Sequence, residues 1–306
     1  MKRIIRIGTR ESQLAVWQAM QVKDLLAQYG FSSELVYIKS EGDIDLNTPL
    51  YEMGVQGIFT RSLDAALLND RIDVAVHSLK DVPTQLPKGI KQAAVLPRGP
   101  VNDMLVFKND TAFLDNGSIA NIATSSLRRK AQWLNKYPQH RLHNLRGNVN
   151  TRLRKLQEEN WDGAIFAQAG LERINLRPEK SWVIDWMLPA PAQGAIVVVC
   201  RQDDDYVFEA CNNFNDASTA LCTKIERDFL RALLGGCSTP ISALAVAENG
   251  SIHFKGNILS LDGSKKAEVE KTIAVSEAND LGKIAAEELF ANGGKEIAEE
   301  IRHAVQ

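Results

Sequence analysis

The stretch that most constrains the fold is Asp73-Val74-Ala75-Val76-His77-Ser78-Leu79-Lys80-Asp81-Val82-Pro83. Its first half is short, apolar and rich in β-branched residues, as expected of a strand buried on both faces of a sheet. Its second half is polar, at His77, Ser78, Lys80 and Asp81, and Val82-Pro83 stops a helix from continuing. A buried strand ending in a polar turn fits an open α/β sheet, where ligands bind beyond the carboxyl ends of the strands. A lysine and an aspartate at such an end can hold an anion and move a proton. Taken alone, the pair reads equally as a solvated ion pair on a surface turn.

The same rhythm runs through the preceding residues. Arg3 to Ile7 reads as a strand, and Gly8-Thr9-Arg10-Glu11-Ser12 as a turn in which Ser12 caps the next helix. That helix carries Leu14, Trp17, Gln21, Leu25 and Tyr29 near helical spacing and ends at Gly30. Strand, short loop and helix N-terminus make a ready anion site, and Arg10 lies in that loop. Glu34 to Ile38 is a second strand. From Ser40 to Phe59, Gly42, Gly54 and Gly57 interrupt a long polar loop, a length expected of a disordered segment or of a functional one such as a lid. Thr60 caps a helix through Leu63, Leu67 and Leu68. Lys91 to Leu96 is a strand, and Pro97-Arg98-Gly99-Pro100 reads as a hinge.

Beyond the hinge, Met104 to Phe107 and Ile119 to Ala123 are strands. Thr124-Ser125-Ser126-Leu127-Arg128-Arg129 opens a helix with hydroxyls at its cap and two arginines in its first turns. Cations are poorly placed there, because the helix N-terminus is itself positive, and an anionic ligand would resolve the conflict. Leu142 to Leu145 is a strand followed by Arg146-Gly147-Asn148 and a helix bearing Arg152 and Arg154. Trp161 to Ala167 is another, followed by Gly170-Leu171-Glu172-Arg173. Three successive strand ends thus deliver arginine, whose fork suits carboxylates or phosphates. A scattered solvated basic face is the alternative. Met187 to Gly194 is a Pro-rich joint and Ala195 to Cys200 an apolar strand. Tyr206 to Phe214 and Ala217 to Leu234 are helical. Asn249-Gly250 and Asp262-Gly263 mark hairpins, and two helices close the chain.

Composition narrows the function. With 306 residues there is room for two or three domains. A net charge of −2, without aromatics interleaved among the arginines, argues against a nucleic-acid partner. No apolar run reaches membrane-spanning length, so no membrane partner is expected. The start lacks the apolar core of a signal peptide, so a cytoplasmic location is expected. No H-E-x-x-H is present, and an i,i+3 pair such as His140/His143 points to opposite faces of a strand, so no metal is expected. Cys200, Cys211, Cys222 and Cys237 show no C-x-x-C spacing and read as free thiols. Cys237 follows a helix end and Gly235-Gly236. The negative end of the helix dipole does not favour a thiolate, so Cys237 is no catalytic nucleophile. It could be an attachment point in an exposed turn or an ordinary free cysteine.

Taken together, these blocks resemble the porphobilinogen deaminase (hydroxymethylbilane synthase) family. They are Ile7-Gly8-Thr9-Arg10-Glu11-Ser12, Glu41-Gly42-Asp43, Gly57-Ile58-Phe59, His77 to Pro83, Thr124 to Arg129, Leu145-Arg146-Gly147-Asn148-Val149 with Thr151-Arg152-Leu153, Gln193-Gly194-Ala195 and Gly235-Gly236-Cys237. They occur in the family's order over nearly the whole chain. The resemblance implies an enzyme that joins four porphobilinogen units head to tail into linear hydroxymethylbilane, releasing ammonia, in tetrapyrrole (haem) biosynthesis. It implies a dipyrromethane cofactor held by a thioether to Cys237, with Asp81 as the catalytic acid/base. Ser78, Lys80, Asp81, Thr124, Ser126, Arg128 and Arg129 would bind the cofactor. Arg10, Ser12, Arg146, Arg152, Arg173 and Gln193 would bind substrate and the growing oligopyrrole chain. The implied fold is two α/β domains of the type II periplasmic-binding-protein kind, with a small C-terminal α+β domain. Domain 1 would span 1–96 and 197–214, domain 2 would span 97–196, and domain 3 would span 215–306. A cytoplasmic monomer is expected. A non-catalytic carboxylate-binding protein on the same two-domain frame is the competing reading. The chain departs from the family's pattern at Gln56, Ser62, 99–103 and Ala192, the last standing where glycine is usual.

Overall fold

A computed structural model describes residues 3–39, 60–115, 117–233 and 239–305. In chain order the elements begin with β1 (Ile5–Thr9), α1 (Gln13–Gln28), β2 (Ser33–Tyr37), α2 (Arg61–Leu68), β3 (Val74–Ser78) and β4 (Ile90–Val95). They continue with β5 (Asp103–Phe107), β6 (Asn121–Ala123), α3 (Leu127–Lys136), β7 (Arg141–His143), α4 (Val149–Glu158), β8 (Gly163–Ala167), α5 (Gln168–Glu172) and β9 (Ser181–Ile184). The chain closes with β10 (Ile196–Arg201), α6 (Asp205–Asn212), α7 (Ala217–Leu233), β11 (Ile241–Glu248), β12 (Ser251–Leu259), β13 (Lys266–Ala274), α8 (Leu281–Leu289) and α9 (Lys295–Val305).

The described residues form two compact units, one of 3–39, 60–99 and 194–221, the other of 100–193 and the described residues from 222 onward. The first holds a sheet ordered β2-β1-β3-β10-β4, with β2, β1 and β3 parallel and β10 antiparallel to both neighbours. The second holds β7-β6-β8-β5-β9, with β7, β6 and β8 parallel and β5 antiparallel to both neighbours. Each sheet is therefore a parallel triad completed through one antiparallel strand. The second unit also carries the antiparallel sheet β11-β12-β13. These are the two α/β sheets and the C-terminal α+β region that the resemblance implied.

Local sequence explains the elements. β3 and β10 are short, apolar and β-branched, and every residue of both except Ser78 and Arg201 is buried. Ser12, Ser126 and Asn148 cap α1, α3 and α4 by accepting from the backbone N–H of Ala15, Arg129 and Thr151. Asn249 (φ 50°) and Gly250 (φ 77°) make the turn between β11 and β12, where both central residues must be left-handed.

The fully buried residues of α1 are Ala15, Gln18, Ala19, Val22 and Leu26, not the Leu14, Trp17, Gln21, Leu25 and Tyr29 set noted for its spacing. Trp17 and Leu25 pack at the margin of that core, and Tyr29 is exposed. Small side chains let the helix lie close to the sheet, and Gln18 is admitted because its amide finds a partner there. One expectation is corrected: His140, placed with His143 in a strand, falls just before β7.

Candidate functional site

In the first unit the predicted residues gather at the carboxyl ends of β1 and β3. Arg10 and Ser12 lie in the loop between β1 and α1. β3 ends at Ser78, whose Oγ accepts from Gln18 Nε2 at 2.7 Å. Gln18 carries no local signal in the sequence, since its partner lies 60 residues away. Leu79–Asp81 then makes one 3-10 turn, tied down by Leu79 N–H to Ala195 O (3.0 Å) and Val82 N–H to Leu79 O (3.2 Å). Buried Leu79 anchors the turn, leaving Lys80 half-buried and Asp81 exposed. His77 points into the protein. Burial, and then the positive charge of Arg10, push its pKa down to about 3, so the imidazole is neutral at physiological pH. Its Nε2 is buried without a hydrogen-bond partner.

In the second unit, β7, β6 and β8 are adjacent and parallel, so the three arginine-bearing strand ends lie along one edge of one sheet. Thr124 is buried beyond β6, where its hydroxyl accepts from Ser126 N–H (3.2 Å). Arg128 and Arg129 are buried, at 4% and 6% exposure, around a fully buried Asp103. Arg129 donates to Asp103 Oδ1 through Nε (3.1 Å) and Nη2 (2.8 Å), and through Nη1 to Ile165 O (2.8 Å). Arg128 Nη2 lies 2.7 Å from Asp103 Oδ2, and its Nη1 donates to Leu188 O (2.8 Å). Arg128 Nε is buried without a hydrogen-bond partner. Burial lowers the Arg128 pKa, with Asp103 opposing and Arg129 adding to the shift. Arg146 is buried after β7. Gly147 follows at φ 112°, where a Cβ would meet the Thr151 side chain at 2.6 Å. Arg152 donates through Nε to Gly147 O (2.7 Å), and Arg173 caps α5 with its pKa pushed down to about 10 by burial.

The conflict of two cations at the start of α3 is thus met in part from inside the protein, by Asp103. The sequence reading began that strand at Met104 and did not weigh Asp103. An acidic residue abutting an apolar strand was the available signal, as at Asp73 before β3. Gln193, expected to bind substrate, aims its amide nitrogen inward, at Val101 O (2.7 Å) and Asp103 Oδ1 (2.9 Å). Elsewhere, His140 accepts from Trp133 Nε1 (3.1 Å), and His143 pairs with Asn121 (2.9 Å). Cys200, Cys211 and Cys222 are buried free thiols. Burial raises Cys200 to about 11, which keeps it unreactive. Cys237 and the 40–59 loop lie outside the described residues.

The trio Arg128, Arg129 and Asp103 carries one net positive charge and an orphaned buried N–H. Such a place suits one more carboxylate, and a dipyrromethane bearing acetate and propionate groups supplies them.

Residues 5–209 match the family model "Porphobilinogen deaminase, dipyromethane cofactor binding domain", and residues 220–291 match "Porphobilinogen deaminase, C-terminal domain". The chain is 40% identical over 306 residues to the porphobilinogen deaminase of Desulforamulus reducens, covering 99% of each. It is 38% identical to that of Chlorobium phaeobacteroides, covering 99% of each. It is 41% identical to the chloroplastic enzyme of Oryza sativa, covering 95% of this chain and 84% of that one. Among solved structures, the periplasmic VFT2 domain of Bordetella pertussis BvgS superposes with a TM-score of 0.42 at 11% identity, over 68% of this chain and 85% of that one. Nearly full-length matches to relatives of about 40% identity, together with both halves of the family's domain pair, show that the chain belongs to the porphobilinogen deaminase family.

Proposed function

We propose that this chain condenses four porphobilinogen molecules head to tail into linear hydroxymethylbilane, releasing one ammonia at each step, in tetrapyrrole biosynthesis. The observation that carries this reading is the buried, net-positive arginine edge of the second unit's sheet, on a chain with full-length family matches. Every pyrrole added brings two carboxylates, and a growing oligopyrrole therefore needs cations that are always charged.

Residue roles follow from the chemistry. The dipyrromethane, held by a thioether at Cys237, supplies the free pyrrole carbon on which the chain grows. Ser78, Lys80, Thr124, Ser126, Arg128 and Arg129 bind its polar groups. Arg10, Ser12, Arg146, Arg152 and Arg173 bind the side chains of substrate and product, with Gln193 in support. Asp81 is the acid and base. As the pyrrole nitrogen of porphobilinogen expels the aminomethyl nitrogen, Asp81 gives that nitrogen its proton and then, as carboxylate, faces the azafulvene cation that remains. The same carboxylate can take the proton lost when the new bond restores aromaticity. His77, neutral and inside the sheet, is not the proton carrier.

The division into domains at 1–96 with 197–214, 97–196 and 215–306 is part of this proposal, as is a cytoplasmic monomer. Among the described residues, no helix is long and apolar enough to cross a membrane. The test is to supply the purified protein with porphobilinogen and measure ammonia and linear tetrapyrrole together. One ammonia per unit consumed, with a four-ring product, is expected. Binding without ammonia release would instead identify a carboxylate-binding protein.

A further inference from the structure

Glu226 is an acidic side chain on α7 with no exposed surface. Its two carboxylate oxygens accept from backbone N–H groups of separate segments, Oε2 from Ala192 (2.6 Å) and Oε1 from Ala245 (2.7 Å). Ala192 is left-handed, at φ 62°, a conformation that a side chain disfavours and that persists only where surrounding bonds hold it. The next residue, Gln193, places its amide on Val101 O and Asp103 Oδ1. Asp103 in turn holds Arg128 and Arg129. The segment just before the turn is pinned as well: Leu188 O accepts from Arg128 and Gln132, and Leu188 N–H donates to Gln132 Oε1 (2.9 Å). A continuous chain of bonds therefore runs from α7, whose sequence leads on to Gly235-Gly236-Cys237, to the two arginines.

We propose that Glu226 and Asp103 are positioning residues for the arginine site. Glu226 fixes the strained turn at Ala192, the turn sets the Gln193 amide, and Gln193 with Asp103 holds Arg128 and Arg129 in the orientation that receives a carboxylate. The inference rests on the function proposed above. Neither acid touches the ligand; both act through the guanidinium groups. A guanidinium fork rewards exact direction, and a displacement of order 1 Å costs roughly 100-fold in a positioned reaction.

The test uses full-length protein purified from cells that make porphobilinogen. Thermal stability and the fraction carrying a two-pyrrole mass are measured on the same folded sample. The variants are Asp103→Asn, Glu226→Gln and Gln193→Met, the last removing an amide without unpairing a buried charge. Asp73→Asn is the control, since Asp73 anchors the far end of the other unit's sheet. Asp103→Asn and Glu226→Gln are expected to lower the loaded fraction of folded protein about tenfold or more. Gln193→Met should lower it by less, and Asp73→Asn should lose stability while loading as wild type does. Wild-type loading in every variant that folds, Gln193→Met included, overturns the inference while leaving the function standing. A wild-type chain that carries no adduct overturns both.

Discussion

Asp73 precedes the first residue of β3, with Arg3, Arg6 and Arg201 around it; Asp103 opens β5, with Arg128, Arg129 and Gln193 around it. Both aspartates are fully buried, and both serve sheets of matching topology. They differ in two ways. Asp73 lies at the amino ends of the parallel strands, away from Ser78, Lys80 and Asp81. β5 runs antiparallel, so Asp103 sits opposite Ala167, the last residue of β8, at the carboxyl ends where the arginines emerge. The charge balance differs too. Arg3, Arg6 and Arg201 meet three aspartates, Asp70, Asp73 and Asp204, so that network is neutral within itself. The Asp103 trio is left with one positive charge. A neutral network at the amino ends of the strands suits scaffold, and under the proposed function the net-positive one at the carboxyl ends suits an anion.

The largest effect should come from Asp81, the exposed carboxylate just beyond the carboxyl end of β3. Asp81→Asn keeps size but removes charge and proton transfer, and should lower turnover by roughly 10²–10⁴ while the protein stays folded. Asp81→Glu keeps both but moves them, and should retain about one part in 100. Porphobilinogen consumption, with circular dichroism to confirm folding, measures both. Near-normal turnover in folded Asp81→Asn would remove this residue from the mechanism.

Asp73→Asn should cost about 1.5–3 kcal/mol of stability, because Arg3, Arg6 and Arg201 lose the fully buried carboxylate they share. Burial pushes the Asp73 pKa up, but hydrogen bonds from Arg6, Arg3 and Arg201 outweigh it and hold the group well below the usual carboxylate range. The folded pKa is therefore depressed. Its contribution is present above an unfolded pKa of about 3.9 and is lost as pH falls below that. Denaturant midpoints should accordingly differ most at pH 7, with the gap beginning to narrow only as pH falls below about 3.9. A constant gap would mean that charge is not the cause.

His77 acts in a separate window. Its folded pKa, about 3, also lies below the unfolded value. Its contribution is whole above about pH 6.5 and declines as pH falls, by roughly 2 kcal/mol at pH 5. His77→Gln should flatten the stability profile between pH 7 and 5, and an unchanged slope would contradict the buried neutral imidazole. The smallest effect belongs to Ala192→Gly. Relief of left-handed strain, about 1–2 kcal/mol, is offset by the added freedom of unfolded glycine, about 0.5–1 kcal/mol. A stabilisation of no more than about 1.5 kcal/mol follows, read as a small rise in Tm.

Much of this molecule was legible in its sequence, for identifiable reasons. Period-two and apolar runs gave the strands, since β3 and β10 are buried on both faces and admit little else. Capping chemistry at Ser12 and Ser126 marked helix starts that the structure shares. The arginine edge could be read because arginines after successive parallel strands must emerge at one end of the sheet. The internal partners could not be read. Asp103, Glu226 and Gln18 act across 26, 34 and 60 residues of chain, and local pattern carries no information on such pairings. Which face of α1 is fully buried, that of Ala15, Gln18, Ala19, Val22 and Leu26, is likewise a tertiary choice that near-helical spacing alone does not settle.

The central claim is that the chain grows tetrapyrrole on a dipyrromethane held at Cys237, and intact-mass spectrometry tests it most directly. Protein from cells that supply porphobilinogen should exceed the bare chain by one two-pyrrole unit, and Cys237→Ser from the same cells should not. Wild-type protein at the mass of the bare chain would contradict the account.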